Sequence, residues 1–262
     1  MKTFYNGDYQ EAISIDELKA LQLRALSVVI DIDLIVQTLD IFSKEVLNLD
    51  IDSSLKEEIS EFCSKEEINN KLSSELGSIA PFDVKRRSFK SSQMESYYPL
   101  GTLLHITSSN SEGLAFLALI EGIISGNSNI VKLSRRDSDI CFKLVSCLLS
   151  CDKQEVLKHK VVVLQDAPIS IEQLISVSDG VSCWGGDSAL NNIRGLVPSS
   201  KRFVTWGHKI SFALIDLEGS LKDKAQKLVQ EILKYNQQAC SAPQVCYLLD
   251  ADFRAVIHDR RI

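Results

Sequence analysis

The sequence predicts an α/β fold, in which a parallel sheet carries helices on both faces and follows a helical amino-terminal region. Two patterns carry this prediction. From residue 99 onward, short apolar runs rich in β-branched residues alternate with helical periodicities, which is typical of crossover units on a parallel sheet. Unbroken apolar runs, such as VVVL at 161–164, favour strands that are covered on both faces. We therefore expect a ligand crevice at the carboxyl ends of the strands.

Length and charge exclude several classes of protein. The 262 residues are 45% hydrophobic and 24% charged, as in an ordinary globular chain. The 35 acidic residues outnumber the 29 basic ones, for a net charge of −6, so we expect no nucleic-acid partner. No apolar run approaches the roughly 20 residues of a membrane span, and the start MKTFYNGDYQEA lacks the pattern of a signal peptide. We expect a cytoplasmic protein.

The elements follow from periodicity along the chain. Apolar residues recur at three- and four-residue spacings over 15–76, which predicts a layer of helices. Residues 81–98, with the basic cluster KRRSFK, have no sustained periodicity and are expected to form a connector. Strands are predicted at 103–106, 130–133, 161–164, 181–184, 202–205, 212–215 and 245–249, with helices at 113–124, 137–149, 171–177, 188–196 and 220–235. We predict a helical region over 1–98, a cofactor-binding α/β domain over 99–239, and the start of a truncated catalytic domain over 240–262.

The cysteines suggest one reactive thiol. Seven cysteines without a C-x-x-C pair argue against a disulfide framework or a cysteine zinc site, and no other metal constellation is visible. In NQQACSAPQ, Cys240 lies between small and amide residues at an element boundary, where backbone N–H groups lower a thiol pKa and hold an oxyanion. Cys240 is the candidate nucleophile; the alternative is a small buried cysteine in a turn. Core positions are expected for Cys141, Cys147, Cys183 and Cys246.

Two further segments carry candidate ligand-binding residues. Asn110 follows a predicted strand and could donate its amide to an oxyanion, or could cap the next helix. Lys132, near the end of the next strand, could reach a ribose hydroxyl or a phosphate, or could be solvated. Gly185 and Gly186 separate a strand from a helix, where bare backbone can approach a phosphate.

Taken together, these segments resemble the aldehyde dehydrogenase superfamily in their order. More narrowly, WGGDSALNNIR, FVTWGHKISFALID and NQQACSAPQ are similar to LuxC-type acyl-CoA reductases, the fatty-acid reductases that supply aldehyde to bacterial luciferase. The resemblance covers residues 99–249 closely and the helical region more loosely. It implies a Rossmann-type sheet and an NADPH-dependent reduction of a long-chain acyl thioester to a fatty aldehyde.

The resemblance also implies roles for individual residues. Cys240 would accept the acyl group, and Asn110 with the Cys240 N–H would form the oxyanion hole. Lys132 would contact the adenosine ribose, while Gly185 and Gly186 would lie near the cofactor phosphates. Further candidate cofactor residues follow Lys132 in the run SRR: Ser134, Arg135 and Arg136. An arginine here could pair with a ribose 2′-phosphate. A solvated pair is the alternative.

The chemistry implied is acyl transfer followed by reduction. Thiolate attack on the thioester expels CoA and leaves an acyl-enzyme, and hydride from the nicotinamide then yields a thiohemiacetal that releases aldehyde. Aldehyde-oxidising members of the superfamily carry a Glu-Leu-Gly-Gly segment with a general base, where this chain has GHKISF. His208 is the candidate replacement base, against a structural histidine.

The sequence also bears on partners and on alternative functions. Members of the family are much longer, so we expect the amino-terminal, cofactor-binding part of a reductase whose activity in isolation is open. Expected partners are a long-chain acyl-CoA or acyl-enzyme donor, an acid-activating protein, and further copies in a homo-oligomer when full length. The alternatives are a non-catalytic nucleotide-binding or interaction module, and a short-chain CoA-acylating aldehyde dehydrogenase.

Overall fold

The computed structural model describes residues 2–10, 12–28, 31–110, 112–233 and 241–249. It divides the chain into two compact units, residues 1–206 and 207–262. The first unit contains the strands β1 (Lys2–Tyr5) and β2 (Asp8–Gln10), the helices α1 (Ile15–Ser27), α2 (Ile32–Glu45), α3 (Ser53–Phe62) and α4 (Lys65–Leu76), and the short strands β3 (Lys85–Arg86) and β4 (Met94–Glu95). It continues with β5 (Thr102–Ile106), α5 (Leu114–Ile124), β6 (Ser128–Lys132), α6 (Ile140–Cys151), β7 (Val161–Gln165), α7 (Ile171–Ser176), β8 (Gly180–Trp184), α8 (Asp187–Leu196) and β9 (Arg202–Trp206).

The predicted helical layer is confirmed, and its helices begin where the sequence provides caps. Ser14 accepts a hydrogen bond from the Glu17 N–H, and the Glu17 side chain completes a capping box at the start of α1. Asp31 caps α2 by accepting hydrogen bonds from the N–H groups of Asp33 and Leu34. Helix α4 ends at Gly77, whose φ of 69° is the left-handed conformation that glycine favours.

The central sheet of the first unit is a mixed sheet whose larger part is parallel and doubly wound. Its strands are ordered β2-β1-β7-β6-β5-β8-β9. The five strands numbered β5 to β9 pair in parallel. In chain order these five lie 3-2-1-4-5, which is the Rossmann arrangement with its topological switch point between β5 and β8. The predicted α/β fold with helices on both faces is therefore confirmed.

The two faces of the sheet are covered by different helices. In β7, Val161 and Val163 pack into a core with residues of α2 through α6, whereas Val162 and Leu164 pack with residues of α1, α7 and α8. Both sets are buried, which explains why this strand is an unbroken apolar run rather than an alternating one.

Two features differ from the sequence prediction. The hairpin β1–β2 extends the sheet beyond β7, where β1 pairs antiparallel and Phe4 is buried. Only a tertiary contact makes this short segment a strand, so its local pattern did not reveal it. The connector 81–98 contains the small antiparallel pair β3–β4.

The second unit contains β10 (Ser211–Asp216), α9 (Leu221–Leu233) and β11 (Pro243–Leu249). The predicted strand at 212–215 exists, but it pairs in parallel with β11 and forms a separate two-stranded sheet. It was expected to belong to the main sheet, and this expectation is wrong because α9 provides a crossover to β11 instead. The domain boundaries predicted from sequence stay a prediction.

Candidate functional site

The candidate site lies at the carboxyl edge of the parallel sheet in the first unit. Because parallel strands end at the same edge, the loops after β5, β6, β7 and β8 meet there. The β5 and β6 loops are in contact: the Thr107 N–H donates to the Lys132 carbonyl at 3.2 Å, and the Ser134 and Ser109 hydroxyl oxygens are 3.4 Å apart. The structure thus brings the predicted residues Asn110, Lys132 and Ser134 to one edge.

Asn110 is exposed in the loop after β5. The Ser108 hydroxyl donates a hydrogen bond to its Oδ1, so this oxygen is already engaged within the loop. The next helix, α5, is capped by Gly113, whose φ is 82°, without any side-chain hydrogen bond. Asn110 is therefore not the cap of α5, which was the alternative interpretation.

A cleft of about 250 Å³ lies between the ends of β6 and β7 and the start of α7. Its lining residues are Lys132, Arg135, Leu164, Asp166, Ala167, Ile169, Ser170, Ile171 and Leu174. Lys132 is half-buried and Arg135 is exposed. Two of the predicted cofactor residues, Lys132 and Arg135, thus line one cleft together with both polar and apolar side chains.

The loop after β6 is held by a polar network. The Ser134 N–H donates to Asp137 Oδ2 at 2.7 Å, and the Gln165 Nε2 amide donates to the carbonyls of Ser134 and Asp137 at 3.2 and 2.9 Å. Burial raises the pKa of the Asp137 carboxyl, while the Ser134 N–H and the Lys132 charge oppose this rise. Ser134 therefore shapes the loop and does not line the cleft.

Arg136, unlike Arg135, does not line the cleft. It is exposed, and its backbone N–H donates to the Ser134 hydroxyl at 3.3 Å. Arg135 Nε instead lies 3.0 Å from Asp166 Oδ1 across the mouth of the cleft. Sequence reasoning missed Asp166; the signal available was an acidic residue directly after a buried strand.

Gly185 and Gly186 connect β8 to α8 at the other side of the switch point. The Gly185 N–H donates to the Trp206 carbonyl at 3.2 Å. Gly186 is the N-cap of α8 and provides no side-chain acceptor for the N–H groups of the first turn. Because α8 begins directly after β8, this turn lies at the carboxyl edge of the sheet. Gly185 and Gly186 therefore lie between a strand and the start of a helix, as predicted.

An aromatic pair stands beside these glycines and was also missed from sequence. The rings of Trp184 and Trp206, the last residues of β8 and β9, are stacked with centroids 5.7 Å apart and planes 9° apart. Trp206 Nε1 donates to the Ser182 hydroxyl at 3.0 Å, which fixes the orientation of its ring. Trp206 is nevertheless 48% exposed, so this pair forms an open aromatic surface.

The remaining predicted catalytic residues are Cys240 and His208. Cys240 lies outside the described residues. His208 belongs to the second unit, where its side chain is exposed. Their roles as nucleophile and base stay predictions, as does the assignment of Asn110 to an oxyanion hole.

The six cysteines that the structure describes differ in burial. Burial raises the pKa of the Cys63 thiol to about 12 and that of Cys183 to about 11, so these thiols are poor nucleophiles. Cys141 is also buried, but Cys147 is half-buried and Cys246 is exposed. The core position predicted for Cys246 is wrong, because β11 pairs with β10 alone in a sheet whose side chains are mostly exposed.

Within the described ranges, no group of three or more His, Cys, Asp or Glu side chains could hold a metal ion. In the same part of the chain, no helix is both long and apolar enough to cross a membrane.

Comparison with known proteins agrees with this geometry. The long-chain acyl-protein thioester reductase of Vibrio harveyi is 27% identical over 193 residues, which are 71% of this chain and 39% of the relative. The chain therefore spans about 39% of the length of that relative. The aldehyde dehydrogenase of Bartonella henselae superposes with a TM-score of 0.70 at 13% identity, covering 98% of this chain and 62% of that one.

A second solved structure is a methylmalonate-semialdehyde dehydrogenase from Sinorhizobium meliloti complexed with NAD, with a TM-score of 0.64 at 14% identity. It covers 99% of this chain and 57% of that one. These likenesses show an aldehyde-dehydrogenase fold. The family model described as acyl-CoA reductase (LuxC) matches residues 32–258, which is most of the chain. The chain therefore belongs to the LuxC family of acyl-CoA reductases.

Proposed function

We propose that this chain is the cofactor-binding part of a reductase that converts a long-chain fatty acyl thioester to a fatty aldehyde with NADPH, through an acyl-enzyme on Cys240. The observation that carries the proposal is the cleft at the carboxyl edge of a sheet with Rossmann strand order, lined by Lys132 and Arg135. Relatives named acyl-protein thioester reductases support the substrate class, and a protein-bound or CoA-bound acyl group is the proposed donor.

The cleft fits the adenosine end of a dinucleotide. Apolar side chains such as Ile169 and Leu174 and the two cations Lys132 and Arg135 line the cleft, a combination suited to a flat base with an anionic ribose phosphate. Lys132 would hold the ribose, and Arg135 the 2′-phosphate that distinguishes NADPH from NADH. Gly185 and Gly186 would admit the pyrophosphate to the first turn of α8.

The protein residues have separate tasks in the reaction. The Cys240 thiolate attacks the thioester carbonyl, and the C–S bond to the donor breaks as its thiolate leaves. Asn110 and the Cys240 N–H donate hydrogen bonds to the tetrahedral oxyanion. His208 would act as the base that accepts the proton of the Cys240 thiol. The bound cofactor supplies the hydride that reduces the acyl group, and the aldehyde could serve light emission by a luciferase.

We further propose the setting of the reaction. The described cysteines Cys63, Cys141, Cys147, Cys151, Cys183 and Cys246 are all free thiols, as in the reducing cytoplasm. An acid-activating protein and a homo-oligomer are the partners that the family resemblance implies. We retain the domain division at 98/99 and 239/240 as part of this proposal.

Intact-mass spectrometry after incubation with a long-chain acyl-CoA tests the proposed nucleophile. We expect a mass gain equal to one acyl group in the parent chain, lost in Cys240→Ser. Cys246→Ser is the matched control, because Cys246 is an exposed thiol six positions away and its loss should leave the gain intact. Acylation that persists in Cys240→Ser would contradict the assignment. A short-chain acyl-CoA that acylates faster than the long-chain donor would favour a short-chain CoA-acylating dehydrogenase.

A further inference from the structure

The lining of the proposed cofactor cleft includes an ion pair whose acidic member, Asp166, has no part in the proposed function. Asp166 directly follows β7 and Arg135 lies in the loop after β6; Asp166 Oδ1 is 3.0 Å from Arg135 Nε. Both residues line the cleft. The Asp166 side chain is 41% exposed, so its carboxylate is open to a ligand that enters this cleft.

The backbone holds Asp166 at this position. Its φ of 55° is left-handed, a conformation that aspartate adopts more readily than most residues. On the preceding residue, the Gln165 side-chain amide is bonded to the β6 loop, so the ends of β7 and β6 are tied together. Because the ends of β6 and β7 are linked, the Asp166 carboxylate and the Arg135 guanidinium face each other.

The two charges recognise opposite forms of a ribose. A carboxylate near a strand end accepts a hydrogen bond from the ribose 2′-hydroxyl of an unphosphorylated dinucleotide, whereas an arginine accommodates the 2′-phosphate. This cleft carries both groups, and they are paired with each other. A phosphate monoester carries between one and two negative charges near neutral pH, so it is attracted by Arg135 and repelled by Asp166.

The other charges near the cleft do not replace Asp166. Lys132 is the second cation of the lining, and among the described residues that line the cleft Asp166 is the one acid. Asp137 accepts a hydrogen bond from the Ser134 N–H and does not line the cleft. Removal of the Asp166 charge therefore leaves two lining cations without an acidic counterpart in the lining.

We infer that Asp166 is a specificity-determining residue of the cofactor cleft: its carboxylate competes with a 2′-phosphate for Arg135 and accepts the 2′-hydroxyl of an unphosphorylated cofactor. Asp166 thereby narrows the preference for NADPH over NADH. The inference rests on the proposed function, because it assumes that the cleft holds the adenosine ribose of a dinucleotide.

Calorimetric titration of the whole 262-residue chain with adenosine 2′,5′-bisphosphate and with 5′-AMP, at one fixed ionic strength, tests the inference. Asp166→Asn keeps the size of the side chain and removes its charge. We expect it to tighten the bisphosphate about threefold to tenfold and to weaken 5′-AMP about twofold to fivefold. Asp139→Asn is the matched control. Asp139 is an exposed, ion-paired acid in the β6–α6 connection that also contains Arg135, and it does not line the cleft.

A second variant separates competition from a general change of charge. Arg135→Ala should weaken the bisphosphate about tenfold or more. In the Arg135→Ala background, Asp166→Asn should change the affinity for the bisphosphate by less than in the parent chain, since the competition for Arg135 is gone. The control Asp139→Asn should leave the ratio of the two affinities within about twofold.

The outcomes that overturn the inference are distinct from those that overturn the proposed function. An unchanged affinity ratio in Asp166→Asn would show that the carboxylate has no part in selection. A weaker bisphosphate complex would show that Asp166 positions Arg135 instead of competing for it. If the parent chain bound neither nucleotide, the proposed cofactor site itself would be wrong, and the inference would fall with it.

Discussion

At the scale of single residues, the side-chain amide of Asn110 is the proposed oxyanion donor after the end of β5. Ser108 donates to its Oδ1, and α5 does not use it as a cap. One oxyanion donor contributes about 3 kcal/mol, or roughly a hundredfold in rate. We therefore expect Asn110→Ala to slow the acylation of Cys240 by roughly a hundredfold, measured by the time course of the acyl mass gain.

The control for this prediction is Asn192→Ala, which removes an exposed amide from α8 and should leave the acylation rate unchanged. Equal rates for Asn110→Ala and the parent chain would remove Asn110 from the oxyanion hole. A slower rate with unchanged binding of adenosine 2′,5′-bisphosphate would separate the loss of a donor from a collapse of the loop after β5.

Lys160 is a buried cation far along the chain from the candidate catalytic residues. Its ammonium donates to the Ala25 carbonyl at 3.0 Å, and burial lowers its pKa. The unfolded chain therefore binds this proton more tightly, so the contribution of Lys160 to the free energy of unfolding increases as pH rises from the lowered folded pKa to the ordinary unfolded pKa. Below the folded pKa, the full cost of burying the charge is present.

We expect Lys160→Met to remove this pH-dependent contribution. The parent chain should gain stability relative to Lys160→Met when measurements at about pH 7 and at about pH 10 are compared, because its lowered pKa lets the folded chain lose this proton at a lower pH than the unfolded chain does. Urea unfolding of both proteins at the two pH values measures the difference. Lys153→Met changes an exposed lysine and should show no such trend; a constant difference for Lys160→Met would contradict the lowered pKa.

At the scale of elements, two helical glycines have opposite surroundings. A Cβ on Gly122 of α5 would lie 1.8 Å from Asn129 Oδ1 and 3.0 Å from His105 Nε2, two buried atoms that are hydrogen-bonded to each other at 3.0 Å. A Cβ on Gly195 of α8 would meet nothing within 4 Å. Gly122 thus permits close packing of α5 on the sheet, whereas the packing of α8 does not require a glycine at position 195.

We expect Gly122→Ala to lower the free energy of unfolding by about 2 kcal/mol or more, because it forces apart a buried hydrogen bond. Gly195→Ala should raise it by up to about 1 kcal/mol through helix propensity. Chemical denaturation of both variants, followed by far-ultraviolet circular dichroism, measures the pair. A neutral Gly122→Ala would mean that α5 does not pack on Asn129 as closely as described.

The elements also show what a sequence can predict. Apolar runs and helical periodicities identified β5 through β9 and their crossover helices, because each pattern is local. The pairing of β1 with β7 and of β10 with β11 depends on contacts between distant segments, so neither was predictable from pattern. Lys132, Gly185 and Gly186 were predictable as candidates because strand ends mark a ligand edge, and their roles stay predictions. Asp166 and the tryptophan pair were not predictable, because their contacts are with residues from distant parts of the chain.

At the scale of the whole molecule, the first unit holds the entire seven-stranded sheet and the candidate cofactor cleft. Most of the length of the relatives lies outside the matched region. In the proposed function, cofactor binding is therefore separable from acyl reduction: the first would depend on the edge of one sheet, and the second would need Cys240 and an acyl pocket as well. Binding measurements consequently test the cofactor site without requiring turnover.

The chain contains two tryptophans, and both lie where β8 and β9 end beside Gly185. A reduced nicotinamide absorbs where tryptophan emits, so we expect NADPH to quench tryptophan emission by energy transfer. 2′-Phospho-ADP-ribose, which lacks the nicotinamide, should displace NADPH and restore the emission. Trp184→Phe and Trp206→Phe should each keep part of the quenching. Binding by calorimetry without quenching would mean that the nicotinamide lies away from the Trp184–Trp206 surface, and that the proposed orientation of the cofactor along the edge of the sheet is wrong.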